Sequence, residues 1–299
     1  MEALAGEDDH GGVENLAAAV LPQGTHDNEA VIEPWRTGMP SRPGVPLPPA
    51  SMPMLRGRRP LKRWRWIGAF DDEMMLCVAV ARIGPLPVSW WAVWDRKSRT
   101  LAEHTVRSGR AVTLDGPRIE VDDGPVQMSL TLEEEDGVET VSPHGDEYIW
   151  TRKRPARARG TLTVARRNLA VDAPAFVDES AGYHARETAW RWSAGVGTTT
   201  AGEPVAWNLV TGLHDADAAS ERTVWLNGAP HHVAPQAFAD DLSSVGDLRF
   251  IAEATRVHRE NRLIVATDYE QPFGTFTGTL PVAGAITGLG VMERHAARW

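Results

Sequence analysis

From Leu61 onward, apolar and polar residues alternate with a period of two, in short runs separated by turn residues. A period of two sends successive side chains to opposite sides of a strand, whereas a helix needs a period near 3.6. The pattern therefore restricts the chain to β-architecture. Lys62–Phe70 sets Trp64, Trp66 and Phe70 on one face and Arg63 and Arg65 on the other. Val88–Trp94 does the same with Val88, Trp90, Ala92 and Trp94, and Val126–Leu132 alternates throughout. Met74–Ile83 is an apolar run ended by Gly84-Pro85, the form of a strand buried on both faces. Further strands are expected at Thr100–Val106, Tyr148–Arg152, Thr161–Ala165, Thr188–Ala194, Pro204–Thr211, Thr223–Leu226, Leu248–Glu253, Arg262–Tyr269, Phe273–Leu280 and Gly290–Trp299. Asn227-Gly228 is a two-residue hairpin signal. No amphipathic helix of ten or more residues stands out, so an all-β sandwich or barrel is expected.

The first 60 residues read differently. Up to Glu33 there are eight acids and no Lys or Arg, which leaves 32 of the 40 acids against all 31 bases in the remainder. The net charge of −9 thus belongs almost wholly to the start of the chain, and the rest offers no field to attract nucleic acid. Closely spaced prolines from Pro34 to Pro60 block both helix and central strand. We expect a disordered or extended acidic tail over 1–60, with a short helix near Glu14–Val20 conceivable. The acidic amino terminus does not read as a signal peptide, and no apolar run is long enough to span a bilayer, so a cytoplasmic location without membrane insertion is expected. One cysteine, Cys77, excludes intrachain disulfides and cysteine-cluster metal sites.

Mid-chain, Glu133–Glu147 carries seven acids without a Lys or Arg, and Tyr148–Val171 carries seven bases without an acid. The bases could form a site for anionic groups. Two solvated strands or a linker with mutually offsetting charge is the simpler expectation. The block marks a candidate boundary between halves at 61–165 and 166–299.

No nucleophile elbow, phosphate-cradling loop or zinc-binding H-E-x-x-H occurs. Gly195-Val196-Gly197 and Gly288-Leu289-Gly290 lack the third glycine of a dinucleotide loop, and read as turns or close backbone contacts. Neither a cofactor nor a metal is expected. The densest functional cluster runs from Tyr183 and His184 through Arg186, Glu187, Trp190 and Arg191 to Trp192. On a strand, His184, Arg186, Thr188, Trp190 and Trp192 share one face. Glu293 and His295, two apart, also share a face. A carboxylate there can raise the imidazole pKa and set up proton transfer. The same residues are equally consistent with a packed Trp/Arg ladder and a surface ion pair. His214 with Asp215 and Asp217 reads as a loop at a strand end. Twelve Trp outnumber the three Tyr and six Phe together, more than an ordinary core uses, and suit an enclosed apolar cavity.

Several segments resemble a bacterial family known as a domain of unknown function, DUF2804. They are Gly182-Tyr183-His184-Ala185-Arg186, Trp190-Arg191-Trp192-Ser193-Ala194-Gly195-Val196-Gly197, Ala206-Trp207-Asn208-Leu209-Val210, Ser220-Glu221 with Val224-Trp225, Asp268-Tyr269 with Pro272-Phe273-Gly274-Thr275-Phe276, and Gly290-Val291-Met292-Glu293. The likeness spans about Leu61 to Trp299. The family is similar to a calycin-like group that includes carotenoid 1,2-hydratases, AttH-like proteins and tocopherol cyclases. The resemblance implies two consecutive lipocalin-like antiparallel β-barrels.

Three functions remain open at this point. One is a carrier of a lipophilic, isoprenoid-like or lipid molecule. The second is a metal-free hydratase or cyclase acting on an isoprenoid double bond. The third is an interaction module whose cavity is filled by tryptophan. Glu293, His295 and Glu221 are the candidate proton donors. Tyr183, His184, Trp190, Arg191, Trp192, Trp207 and Asn208 are the candidate ligand contacts. The sequence leaves the ligand and the oligomeric state undetermined.

Overall fold

The alternating segments become strands except Arg262–Tyr269, which runs from the last residue of β19 into β20, and no helix forms among the described residues of the computed structural model, which are 32–107, 111–262 and 265–298. The conceivable helix near Glu14–Val20 lies outside the described residues. In chain order the strands are β1 (Trp35–Arg36), β2 (Leu55–Arg56), β3 (Arg59–Pro60), β4 (Lys62–Phe70), β5 (Met74–Ile83), β6 (Leu86–Asp95) and β7 (Thr100–Val106). Next come β8 (Val112–Asp115), β9 (Arg118–Asp123), β10 (Val126–Glu134), β11 (Val138–His144), β12 (Glu147–Val164) and β13 (Arg167–Gly182). After them come β14 (Glu187–Thr199), β15 (Pro204–Thr211), β16 (Thr223–Leu226), β17 (Ala229–His232), β18 (Ser244–Val245), β19 (Leu248–Arg262), β20 (Val265–Leu280) and β21 (Gly284–Arg298). Asn227 and Gly228 form the two-residue turn between β16 and β17 with φ of 51° and 78°, as the hairpin signal requires.

An eleven-stranded antiparallel sheet has the order β7-β6-β5-β4-β13-β12-β10-β9-β8, with β11 also on β12 and β1 on β11. An eight-stranded sheet has the order β17-β16-β15-β14-β21-β20-β19-β18, and β2 and β3 form a separate pair. The all-β expectation therefore holds. Closure of each sheet into a barrel does not follow, because neither is closed by a hydrogen-bond ladder. In the first sheet β8 comes against β5 and β6, but both of those strands already pair on each side. They have no free backbone groups to offer, so side chains span the gap. Trp91 Nε1 donates to Asp123 Oδ2 at 2.8 Å, and His104 Nδ1 lies 2.6 Å from the same oxygen.

The chain changes sheet at residues 183–186. Tyr148–Arg152 and Thr161–Ala165, expected as two strands, lie at the two ends of the single strand β12 or just past it, so the basic block is no linker. Antiparallel pairing with β10 and β13 sets its arginines beside acids. Arg154 pairs with Glu134 and Glu179, Arg159 with Glu133, and Arg157 with Asp172.

Residues 32–60 are extended, and they are docked. Leu47 and Met52 bury against Tyr148, Trp150 and Tyr183. The Tyr148 and Tyr183 hydroxyls donate to the carbonyls of Pro46 and Pro53 at 2.7 and 2.8 Å. Arg36 crosses to the second sheet, where Nη1 donates to the Ser220 carbonyl at 2.6 Å and Nη2 to Thr223 Oγ1 at 2.9 Å.

The two G-x-G pairs are packing sites. Trp207 lies over Gly195 and Gly288, where an added Cβ would meet the indole at 2.2 and 2.8 Å. Overpacking of this kind costs roughly 1–3 kcal/mol, so Gly195→Ala is expected to lower the urea midpoint. Gly44→Ala, whose Cβ meets nothing within 4 Å, serves as the control and should leave it unchanged.

Candidate functional site

The sheets face each other through the outward sides of β4–β6 and β13 and of β14–β16, β20 and β21, and this seam holds much of the tryptophan. Trp66 stands edge-on to Trp192 at 5.1 Å, and Phe176 edge-on to Trp225 at 5.6 Å. Part of the indole surplus therefore fills the seam. Cys77 lies within it, its thiol pushed up to about 12 by burial, so it is an unreactive packing group. Along one flank, Arg96 and Trp94 share the Glu253 carboxylate. Arg256 lies over the Trp90 and Tyr269 rings, at 5.5 and 5.0 Å, and donates to Thr105 at 2.6 Å. These contacts tie β6 and β7 to β19.

Within the seam β12 places Lys153 opposite Asp178 of β13, because the two are register partners. The Lys153 ammonium pairs with Asp178 and lies 3.3 Å from Glu221 Oε1. Burial would lower the lysine pKa, but the two carboxylates outweigh it and raise it, so Lys153 stays charged. Burial, reinforced by Glu221, raises Asp178 against the pull of the ammonium. Trp64 Nε1 reaches Asp178 at 3.4 Å. Asn208 links the group to the aromatic wall, accepting from Trp192 Nε1 at 2.7 Å and donating to the Glu221 carbonyl at 3.0 Å. Glu221, a candidate proton donor by sequence, is placed as counter-ion to Lys153.

On β21, Glu293 and His295 do share a face, and both meet Trp190. Trp190 Nε1 donates to Glu293 Oε1 at 2.8 Å, and Gln271 Nε2 donates to Oε2 at 2.9 Å. Burial pushes the Glu293 carboxyl up to about 7, with the Trp190 hydrogen bond opposing and the Asp178 charge adding. The expected rise of the His295 pKa does not occur. Burial drives this imidazole down to about 3, helped by His258 and Arg256. His295 Nε2 engages Thr267 Oγ1 at 2.8 Å, and dehydration decides its protonation. His295 is therefore neutral near pH 7, and Glu293 is the group there that can hold a proton. Its surroundings contain two buried polar atoms without a hydrogen-bond partner, Trp90 Nε1 and Gln271 Oε1, while the Tyr269 hydroxyl interacts with the Glu293 carboxyl. Burial and the Glu293 charge raise the Tyr269 phenol well above its ordinary value.

A line of rings connects these groups. His184 lies 5.1 Å from Trp64, which is parallel to Trp190 at 6.3 Å; Trp190 touches His295 at 4.3 Å, and His295 meets Tyr269 at 5.2 Å. Two grooves open nearby. One, of about 810 Å³, is lined by the ends of β14, β19, β20 and β21, including Thr188, Thr267 and Ala296, so the Thr267–His295 pair leads from it towards Trp190. The other, of about 900 Å³, lies where Phe70, Pro174, Val196 and Trp225 meet. Among the described residues, no group of three or more His, Cys, Asp or Glu side chains is placed to hold a metal ion.

The family model for a domain of unknown function, DUF2804, matches residues 102–299. The chain belongs to the DUF2804 family. The match begins within β7 and covers the whole second sheet, a shorter span than the resemblance from about Leu61. Comparison with curated proteins finds no match for this DUF2804 chain. Among solved structures it is similar to a protein of Nitrosomonas europaea described as AttH, at 13% identity and a TM-score of 0.45, over 79% of this chain and 92% of that one. It is also similar to kievitone hydratase of Nectria haematococca, at 9% identity and a TM-score of 0.39, over 78% and 88%. A third similar structure is CghA, at 11% identity and a TM-score of 0.38, over 80% and 88%.

Of the candidates read from the sequence of this DUF2804 member, Glu293, His295, Trp190, Trp192, Asn208, Glu221 and His184 come together along the seam. Three do not. Tyr183 anchors the docked arm through Pro53. Arg191 points to the other side of β14 and pairs with Asp240 at 2.6 Å. Trp207 packs inside the second sheet, donating to Ser193 Oγ at 3.0 Å and meeting Phe276 edge-on. Sequence reasoning missed Lys153, Asp178, Tyr269, Gln271 and Arg256 as parts of the site. The hairpin joining β20 to β21 held a usable signal. Its register sets Tyr269 opposite His295 and Phe273 opposite Val291, which brings Gln271 level with Glu293.

Proposed function

We propose that this protein binds a lipophilic small molecule in the seam beside Trp190 and Glu293, entering from the groove at Thr188, Thr267 and Ala296. One observation carries the reading: Trp90 Nε1 and Gln271 Oε1 are left unpartnered in one aromatic setting around a carboxyl whose pKa is near 7. Buried polar groups are nearly always hydrogen-bonded, so two open ones together suit the polar end of a ligand. The rings of Trp190, Trp90 and Tyr269 supply apolar surface for the rest. A cytoplasmic location and the absence of a nucleic-acid partner belong to the same proposal.

A second reading, acid-catalysed hydration or cyclisation of an isoprenoid double bond, is favoured by the Glu293 proton. The carboxyl would pass its proton to one alkene carbon, aromatic faces would stabilise the cation on the other, and water or an internal nucleophile would add there and return a proton to the Glu293 carboxylate. Native mass spectrometry of protein taken from its own host tests both. A co-purified lipophile that is lost in Trp190→Ala supports binding. If that lipophile is converted in vitro by the unaltered protein, and remains bound but unconverted in Glu293→Gln, the second reading holds. Protein that is consistently empty sinks both.

A further inference from the structure

Two segments that meet at one end of the first sheet contain seven bases and no acid. They are 50–70, which holds β2, β3 and β4, and 74–94, which holds β5 and nearly all of β6. Lys62 is buried, and Arg56, Arg59 and Arg65 pair with Glu147, Asp146 and Glu134 from elsewhere in the sheet. The other three, Arg58, Arg63 and Arg82, are exposed and have no ion pair among the described residues. Arg63 and Arg82 are register partners on β4 and β5, so they stand directly opposite each other on one face. Like charges placed in this way repel, and an anion lying over both removes the repulsion.

The same end presents aliphatic side chains to water. Met54, Leu55 and Leu86 are 54%, 61% and 64% exposed, while the other exposed large hydrophobic residues described are scattered over the arm, β19 and the turn between β20 and β21. Backbone contacts hold the three together. The Leu61 amide donates to the Met54 carbonyl at 2.9 Å, and the Gly84 amide to the Leu61 carbonyl at 2.8 Å. Pro60, the register partner of Leu55, lies against Gly84, so the β2–β3 hairpin abuts the β5–β6 turn. Arg59, donating to the His144 carbonyl at 2.8 Å, and Arg56, 2.7 Å from Glu147, pin the hairpin. A pinned hairpin meets a partner with little ordering cost.

We infer that this end of the first sheet is a docking surface for an anionic lipid bilayer. Charge complementarity sets the sign of the partner, and the aliphatic side chains set its kind. Arg58, Arg63 and Arg82 would meet headgroup phosphates, while Met54, Leu55 and Leu86 enter the boundary between headgroups and acyl chains. A polyanion such as nucleic acid would satisfy the arginines and leave those three side chains in water. The contact is peripheral, and it does not depend on the binding proposed beside Glu293.

Co-sedimentation of the full chain with vesicles tests the inference. Vesicles of equal parts phosphatidylglycerol and phosphatidylcholine are expected to bind the protein, and vesicles of phosphatidylcholine alone to bind it far more weakly. Arg63→Gln combined with Arg82→Gln should weaken binding to the anionic vesicles by about tenfold or more, since each base near such a surface contributes about fivefold. Leu55→Ser combined with Leu86→Ser should also weaken it, and Val282→Ser, equally exposed but on another turn, should leave it unchanged. Failure of the unaltered protein to sediment with the anionic vesicles overturns the inference, as does binding of polyglutamate or DNA in place of vesicles. Weakening by the arginine substitutions alone, with the leucine variant binding fully, also overturns it, because it marks a general polyanion surface. Hydrogen exchange of the unaltered protein locates the contact without any substitution. Exchange should slow at the β2–β3 and β5–β6 turns when anionic vesicles are added, and slowing confined to other segments refutes the assignment.

Discussion

Replacing Lys153 by methionine is expected to cost about 3–5 kcal/mol of folding stability, the usual loss when one partner is removed from a buried ion pair. Methionine keeps the unbranched shape and fills the space under Trp192, over whose ring the ammonium lies at 5.8 Å. The loss therefore arises from charge. Without the ammonium, Asp178 and Glu221 remain buried beside each other, 8% and 1% exposed, with their main counter-ion gone. Urea unfolding checks this, and two further features separate charge from packing. The loss should shrink as the pH falls, because protonation relieves the stranded carboxylates. Adding Asp178→Asn and Glu221→Gln to Lys153→Met should recover much of it. A single substitution costing under 1 kcal/mol would show that the ion cluster is dispensable to the fold.

Glu293→Gln should change how stability depends on pH. Its carboxyl ionises at about 7 when folded and at the ordinary 4.5 when unfolded. Below pH 4.5 both states hold the proton, and the group contributes nothing to the balance. Between pH 4.5 and 7 the unfolded chain releases the proton while the folded chain keeps it, so stability falls as the pH rises, by up to about 1.4 kcal/mol per pH unit. Above pH 7 the full penalty, roughly 3 kcal/mol, is in place. Glutamine removes this slope while keeping the contacts: its carbonyl accepts from Trp190, and its amide donates to the Gln271 carbonyl oxygen once that side chain turns over. The variant should match the parent near pH 4.5 and exceed it above pH 7. Parallel stability curves for parent and variant from pH 4.5 to 8 would show that Glu293 titrates normally.

Several strands were legible in the sequence residue for residue, among them Lys62–Phe70, Met74–Ile83, Pro204–Thr211 and Thr223–Leu226. In these, one face is apolar or both are, and flanking turn residues mark the ends. β12 was less legible, since its centre is a run of arginines that reads as a solvated linker. Only the acids of β10 and β13 on either side explain why such a strand is central in its sheet. β13 was missed for a related reason, because its polar residues answer those of β12.

For the site, alternation alone placed Trp190 with Trp192 and Glu293 with His295, since spacing by two settles which side chains share a face. It could not say what lies across the seam, because each facing residue comes from another strand through a register that long-range pairing fixes. It named both Glu293 and His295 as proton donors and thus gave no warning that His295 would give its proton up while Glu293 kept its own. Both outcomes follow from dehydration, a property of the packed seam rather than of the residues. The sequence by itself determined an all-β chain, with its acidic start and the faces of its strands, because side-chain direction along a strand is local. The tertiary structure decided that the sheets stay open, that the tryptophans meet across a seam, and which buried groups carry charge. Those outcomes depend on which backbone edges are already paired and on how much water is excluded when distant strands come together.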